Sequence, residues 1–170
     1  MSTSVTIRRY LDAARSATLG DEIDAIFFEA SNTKSFESDA ARADFRERWL
    51  GRYLKSEPQF AYLALAASTE VVGYLVGSLD DPEPDERFRD LAKRFPAHLH
   101  VNLAPAFRGL GLGSRLIDTF VADAKQTGAP GVHVVTNATS ANVRFYNRNG
   151  FFEAGRAGPN KELVFLGRRL

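Results

Sequence analysis

PAHLHVNLAPAFRGLGLG, residues 96–113, decides how the rest of the chain is read. Leu99, Val101 and Leu103 alternate with His98, His100 and Asn102, which is the period of a strand. Further on, Leu112, Leu116, Ile117, Phe120, Val121 and Ala124 recur on one face at helical spacing, so a helix is expected over 112–127. Between the two lies Arg108-Gly109-Leu110-Gly111-Leu112-Gly113. Glycines let the backbone turn tightly and bring bare N–H groups close to a ligand. A helix start adds unpaired donors and a positive dipole end, so the place suits the phosphate of a cofactor. The turn is neither a full dinucleotide fingerprint nor a P-loop with its Lys-Ser/Thr. Its competing reading is a glycine-rich loop tightened for packing.

The segments after the turn separate these readings. GVHVVTN, residues 131–137, reads as another strand, and SANVRFYNRNG, residues 140–150, as a short helix closed by Gly150. Arg108-x-x-Gly111-x-Gly113, then Asn142, then Phe145-Tyr146-x-x-x-Gly150-Phe151 stand in one order. On these motifs the chain resembles the GNAT superfamily of acyl-CoA N-acyltransferases, directly over about 96–155. ELVFLGRRL at the end, with the HLHV strand, is also similar to the acetyltransferase-like domain attached to some O-GlcNAc hydrolases and its bacterial relatives. Some members of that group have lost the acetyl-CoA motif, whereas this chain keeps Arg108, Gly111 and Gly113.

At 170 residues the chain fits a single domain, 1–170, and with 44% hydrophobic residues and 13 Phe it can bury a real core. A net charge of +1 gives no bulk electrostatic case for nucleic acid or an anionic membrane. Cysteine is absent, which removes thiolate chemistry and suits a reducing cytoplasm. The first residues lack the apolar core of a signal peptide, and no run reaches transmembrane length. A cytoplasmic protein, monomer or homodimer, is expected. No ligand spacing around the 3 histidines supports a metal.

Upstream, Ser4–Arg9 reads as a strand and Asp12–Arg15 as the start of a helical turn. Asp21–Ala30 is a helix with acidic residues in its first turn. Asp39–Lys55 is a long charged helix whose Phe45, Trp49, Leu50 and Tyr53 read as a stripe packed on a sheet. Phe60–Ala66 and Glu70–Leu79 form a hairpin turning at Ser68-Thr69. Asp80–Phe95 is an insertion with a short helix at Asp85–Arg94 that turns Phe88, Leu91 and Phe95 inward. It reads equally as a solvated excursion and as a wall of an acceptor site. Glu162–Leu166 is the last strand, followed by a basic tail, Gly167–Leu170.

Interleaved strands and helices make the fold α/β, with a mixed sheet of about six to seven strands flanked by helices. The resemblance implies the GNAT fold, with the sheet splayed between 98–104 and 131–136 and acetyl-CoA (coenzyme A) in the gap. It further implies a pyrophosphate on the amides of Gly109, Leu110, Gly111, Leu112, Gly113 and Ser114, with Arg108 adding charge. The pantetheine arm would pair with the backbone near Val101 and Leu103, and the acyl carbonyl would meet an N–H there. Asn142 and Phe145 would flank the arm, and Tyr146 would be the general acid beside the sulfur.

No glutamate lies on strand 98–104, where many members carry their base. His98 and His100 lie there on one face, and His133 on the adjoining strand is a third candidate. The implied activity is acetyl transfer to the amine of a small molecule, a peptide or a protein. The competing function is a pseudo-acetyltransferase that holds acetyl-CoA or recognises a protein. A nucleotide-dependent oxidoreductase is excluded, because no acidic ribose partner stands beyond the turn at the required distance.

Overall fold

The computed structural model describes residues 4–13, 16–81 and 83–170. Seven strands are hydrogen-bonded in the order β1-β2-β3-β4-β5-β7-β6. They are β1 (Val5–Arg9), β2 (Ala61–Ala66), β3 (Val71–Ser78), β4 (Ala97–Leu103), β5 (Gly131–Asn137), β6 (Phe152–Ala157) and β7 (Leu163–Arg169). The chain forms two compact units, residues 1–77 with 100–120, and 78–99 with 121–170.

In the first unit β1, β2 and β3 run antiparallel, with Ile7 opposite Ala64 and Leu63 opposite Tyr74. Every residue of β3 is buried, which is why VVGYLVG is a continuous apolar run. Helix α1 (Leu19–Ala30) supplies Ile23, Ile26 and Phe27 and α3 (Arg52–Ser56) supplies Tyr53 to a core with Leu63, Tyr74 and Val76, while α2 (Asp39–Arg46) packs Phe45 against it. Ser38 caps α2 by accepting from the Ala41 amide at 3.0 Å. Asp24 ties α1 to Arg46 at 2.8 Å. The stripe of Phe45, Trp49, Leu50 and Tyr53 packs into or against this core as expected.

The helix expected over Asp39–Lys55 is continuous, with a π turn at Glu47–Gly51 between α2 and α3. A π turn admits an extra residue and rotates the face of the helix beyond it. The helical turn expected over Asp12–Arg15 is a short 3-10 turn at Tyr10–Asp12, and Ala14 and Arg15 lie outside the described residues.

In the second unit the insertion is no solvated excursion. After Asp85 caps a 3-10 turn, α4 (Arg89–Arg94) begins, and Phe88 and Phe95 close on Phe165 with ring centroids 5.4 and 6.1 Å away. Pro82, in the same insertion, lies outside the described residues. Parallel pairing of β4 and β5 joins Ala97 to Val132 and His98 to His133. β5 pairs antiparallel with β7 from Gly131–Arg169 to Asn137–Leu163.

Two expectations are corrected here. The basic tail is strand, because Arg168 and Arg169 pair with Val132 and Gly131. FEAGRA, for which no strand is expected, forms β6 on the sheet edge with a bulge between Glu153 and Gly155. The remaining helices are α5 (Leu112–Gln126) and α6 (Asn142–Arg148). Among the described residues no helix is long and apolar enough to cross a membrane.

Candidate active site

The glycine turn sits in the first unit at the start of α5. Gly109 and Gly111 both have φ +76°, a backbone that side chains resist, so the glycines are required by conformation. Leu112, 4% exposed, anchors the helix start, while Leu110 between the two glycines is 63% exposed. The first of the bonds of α5 runs from Arg115 N to Gly111 O at 3.1 Å, so the N–H groups of Leu112, Gly113 and Ser114 stand ahead of the helix ladder. Such a run of donors at a helix start is the arrangement that holds an anion.

Arg108 is already engaged. Its Nε donates to the carbonyl of Leu103 at 3.0 Å, and its Nη2 pairs with the carboxylate of Glu29 on α1. Val101 and Leu103 are half-buried on β4. Gly73 of β3 lets Leu103 lie close, since a Cβ there would collide with the leucine side chain. The Ala104 amide donates to Val72 at 2.9 Å, which fixes the end of β4.

His100 is half-buried in the same unit. Its ring meets the edges of Trp49 and Tyr53, with centroids 5.6 and 5.3 Å apart. Its Nε2 lies 3.1 Å from the Tyr53 hydroxyl, which accepts from Arg52 Nη2 at 2.9 Å. The π turn immediately before Arg52 sets the face on which Arg52 and Tyr53 stand. Nearby, Asn102 donates to the Tyr74 hydroxyl at 2.8 Å, and burial pushes that phenol far above its ordinary pKa. An open groove of about 630 Å³ lined by Phe28, Phe36, Glu37, Asp39 and Arg42 lies in this unit too.

The second unit holds the other expected residues. His98 is 5% exposed and stacks on His133 with ring centroids 5.6 Å apart. His133 Nδ1 shares a 2.5 Å hydrogen bond with the Phe95 carbonyl, and its Nε2 stands 3.8 Å from Asp81. Burial pulls the His133 imidazole below its ordinary pKa, against the opposing pull of Phe95 and Asp81. A neutral His133 therefore donates through Nδ1 to that carbonyl. Both rings sit in packed surroundings with Phe165 stacked 4.6 Å from His133, which is the setting of core histidines.

Tyr146 on α6 is 8% exposed, with the ring centroids of Phe145 and Phe151 at 5.2 and 5.4 Å. Burial raises its phenol pKa, and among the described residues its hydroxyl has no hydrogen-bond partner. Asn142 opens α6 with an exposed side chain, its amide donating to Ser140 Oγ at 3.2 Å. Gly150, at φ +81°, ends the helix and lets Phe151 N reach Tyr146 O at 3.1 Å.

The first unit thus gathers His100, Val101, Leu103 and Arg108 through Ser114, and the second holds His98, Asn142, Phe145 and Tyr146. Sequence reasoning missed Glu29, Arg52 and the polar use of Tyr53. Only Tyr53 carried a signal, through its helical spacing from Trp49. Among the described residues no group of three or more His, Asp or Glu is placed to hold a metal.

A family model described as Acetyltransferase (GNAT) family matches residues 21–151. Solved structures share the fold. SsHAT is similar with a TM-score of 0.75 at 22% identity, over 98% of each chain. A GCN5-related N-acetyltransferase from Kribbella flavida gives 0.68 at 20% identity, again over 98% of each chain. The NatC complex, solved bound to Gag peptide and CoA, gives 0.64 at 16% identity over 98% of each chain.

Proposed function

The chain belongs to the GNAT acetyltransferase family, and on that premise we propose that it moves the acetyl group of acetyl-CoA onto an amine by direct attack on the thioester. The observation that carries the proposal is the start of α5, where the N–H groups of Leu112 to Ser114 precede the first helix bond and follow two glycines at φ +76°. These amides bind the pyrophosphate, and Arg108 joins them by exchanging its Glu29 contact for phosphate. CoA, seen bound in the NatC complex, would here supply an activated acyl group as its thioester.

The chain's own residues then orient and move protons. Main-chain groups beside Val101 and Leu103 hold the pantetheine arm, and an N–H there polarises the acyl oxygen. His100, half-buried and hydrogen-bonded at Nε2, takes the proton that the amine must lose. Tyr146 delivers its phenolic proton to the departing sulfur. A phenol of ordinary pKa ~10 already carries that proton at neutral pH, and burial, which raises its pKa further, makes it a weaker donor. Asn142 and Phe145 on the same helix border the arm. His98 serves packing in this reading, its ring stacked on His133.

The test is turnover with acetyl-CoA across a panel of small amines, peptide N-termini and lysine peptides. Equal amounts of free CoA thiol and acetylated amine are expected for one class. Saturable acetyl-CoA binding with no acetylated product from any class would replace this reading with a binding module.

A further inference from the structure

We propose that Tyr53 relays the proton to His100: its hydroxyl, polarised by Arg52, donates to His100 Nε2 and fixes the ring as the Nδ1–H tautomer. This rests on the reading of His100 as the base. The hydroxyl oxygen stands 3.1 Å from Nε2 and accepts from Arg52 Nη2 at 2.9 Å. An oxygen that accepts from a guanidinium has its own O–H polarised, so it becomes the better donor toward a neighbouring lone pair. An imidazole nitrogen either donates or accepts, and the bond at one nitrogen sets the proton on the other. With O–H donated to Nε2, the ring proton stands on Nδ1.

The surroundings hold this geometry. Tyr53 is 4% exposed and Leu50 beside it is fully buried, so the phenol has little room to swing. The Arg52 guanidinium lies 4.8 Å from the Tyr53 ring centroid and reaches back to the hydroxyl from the adjacent residue. Trp49 packs its edge on the imidazole at 84° between planes, which fixes the ring orientation. The π turn at Glu47–Gly51 ends at Arg52, and at residue 51 a side chain would collide with the Glu47 carboxylate. The π turn therefore sits where the pair must be aimed.

The consequence is a defined proton path. With Nδ1 already protonated, only Nε2 can take a proton, and Tyr53 occupies it. Tyr53 gives its proton to Nε2 and takes one from the substrate ammonium in its place. The phenol is regenerated, His100 ends with N–H on both nitrogens, and the substrate nitrogen, its N–H bond broken, holds that electron pair as the lone pair with which it attacks.

The test reads the imidazole directly, by nitrogen NMR of the full-length chain with ¹⁵N-histidine, recorded well above the ordinary imidazole pKa of ~6.5. Expected is a bare, hydrogen-bonded Nε2 and a protonated Nδ1 for His100. Tyr53→Phe should lose that preference and lower turnover ~10²–10⁴-fold, the usual span for proton transfer, with acetyl-CoA affinity unchanged. Arg52→Lys, which keeps a cationic donor, should retain the tautomer. A protonated Nε2 in the wild type, or an unchanged tautomer in Tyr53→Phe, overturns the proposal without any acceptor being known. Turnover impaired in His100→Gln but not in Tyr53→Phe overturns the relay alone. Turnover unimpaired in both overturns the base reading with it.

Discussion

Arg108 and Glu29 are paired, although 79 residues separate them in the chain. The arginine expected to greet a phosphate is held by a carboxylate on α1, with its Nε on the Leu103 carbonyl. Cofactor binding therefore includes a partner exchange at Arg108, and the energy of the pair opposes it. Exposed pairs are worth ~0–1 kcal/mol, and Arg108 and Glu29 side chains are 47% and 43% exposed. Glu29→Gln should tighten acetyl-CoA binding by up to about fivefold at low salt. The gain should shrink as ionic strength rises. Calorimetry at two salt concentrations checks this, and weaker binding in the variant would mean that Glu29 supports the turn instead.

Tyr146→Phe removes a hydroxyl that has no hydrogen-bond partner among the described residues, so neutral-pH stability should hardly change. Turnover should fall ~10²–10⁴-fold where chemistry limits the rate. The pH signature is specific. A phenol raised by burial stabilises the fold below the unfolded value of ~10 and loses that contribution as pH rises above it. The wild type should lose melting temperature above that pH more steeply than the variant does. Wild-type turnover in Tyr146→Phe would make the Phe145-Tyr146 motif structural.

His133 gives the opposite limb. Its imidazole is held below the ordinary value, chiefly by burial, so the unfolded chain binds the proton first as pH falls. Its contribution is present above ~6.5 and is lost as pH falls through the lowered folded pKa. Thermal melts of the wild type should weaken over that window. His133→Gln should be less stable at neutral pH and should weaken less over the same window. Parallel curves for the two proteins would count against the assignment.

The insertion carries packing weight through Phe88, which is 3% exposed beside Phe165. Phe88→Ala should cost about 3–5 kcal/mol in denaturant unfolding. Acetyl-CoA affinity of the folded fraction should remain near wild type, because the turn at Gly109–Ser114 belongs to the other unit. A loss of affinity equal to that of a turn variant would tie the insertion to the cofactor site.

These residues also show what the sequence could convey. The apolar face of α5 was legible because its periodicity comes from burial. β4 was legible from the alternation of Leu99, Val101 and Leu103, although its burial does not alternate, residues 97–99 being buried and 100–103 half-buried. β6 was not, because an edge strand with a bulge at Glu153–Gly155 and no fully buried residue has no apolar alternation to display. The Glu47–Gly51 π turn was hidden because its residues suit an α-helix equally well. The glycine turn was legible because Gly109 and Gly111 stand where φ is positive. Tyr53–His100 and Arg108–Glu29 join distant segments, 47 and 79 residues apart, and local pattern carries no information on such pairs.

The central claim is that the Gly109–Ser114 turn holds the phosphates of acetyl-CoA, and titration of acetyl-CoA into the wild type and Gly111→Glu tests it most directly. At Gly111 a side chain would meet no atom within 4 Å, yet it must adopt φ +76° and would bring a carboxylate to the amides. The circular dichroism spectra of the two proteins serve as the control for folding. Saturable binding to the wild type and none to a folded Gly111→Glu variant is the predicted result. Equal affinity in both proteins, or no binding to the wild type, would contradict the account.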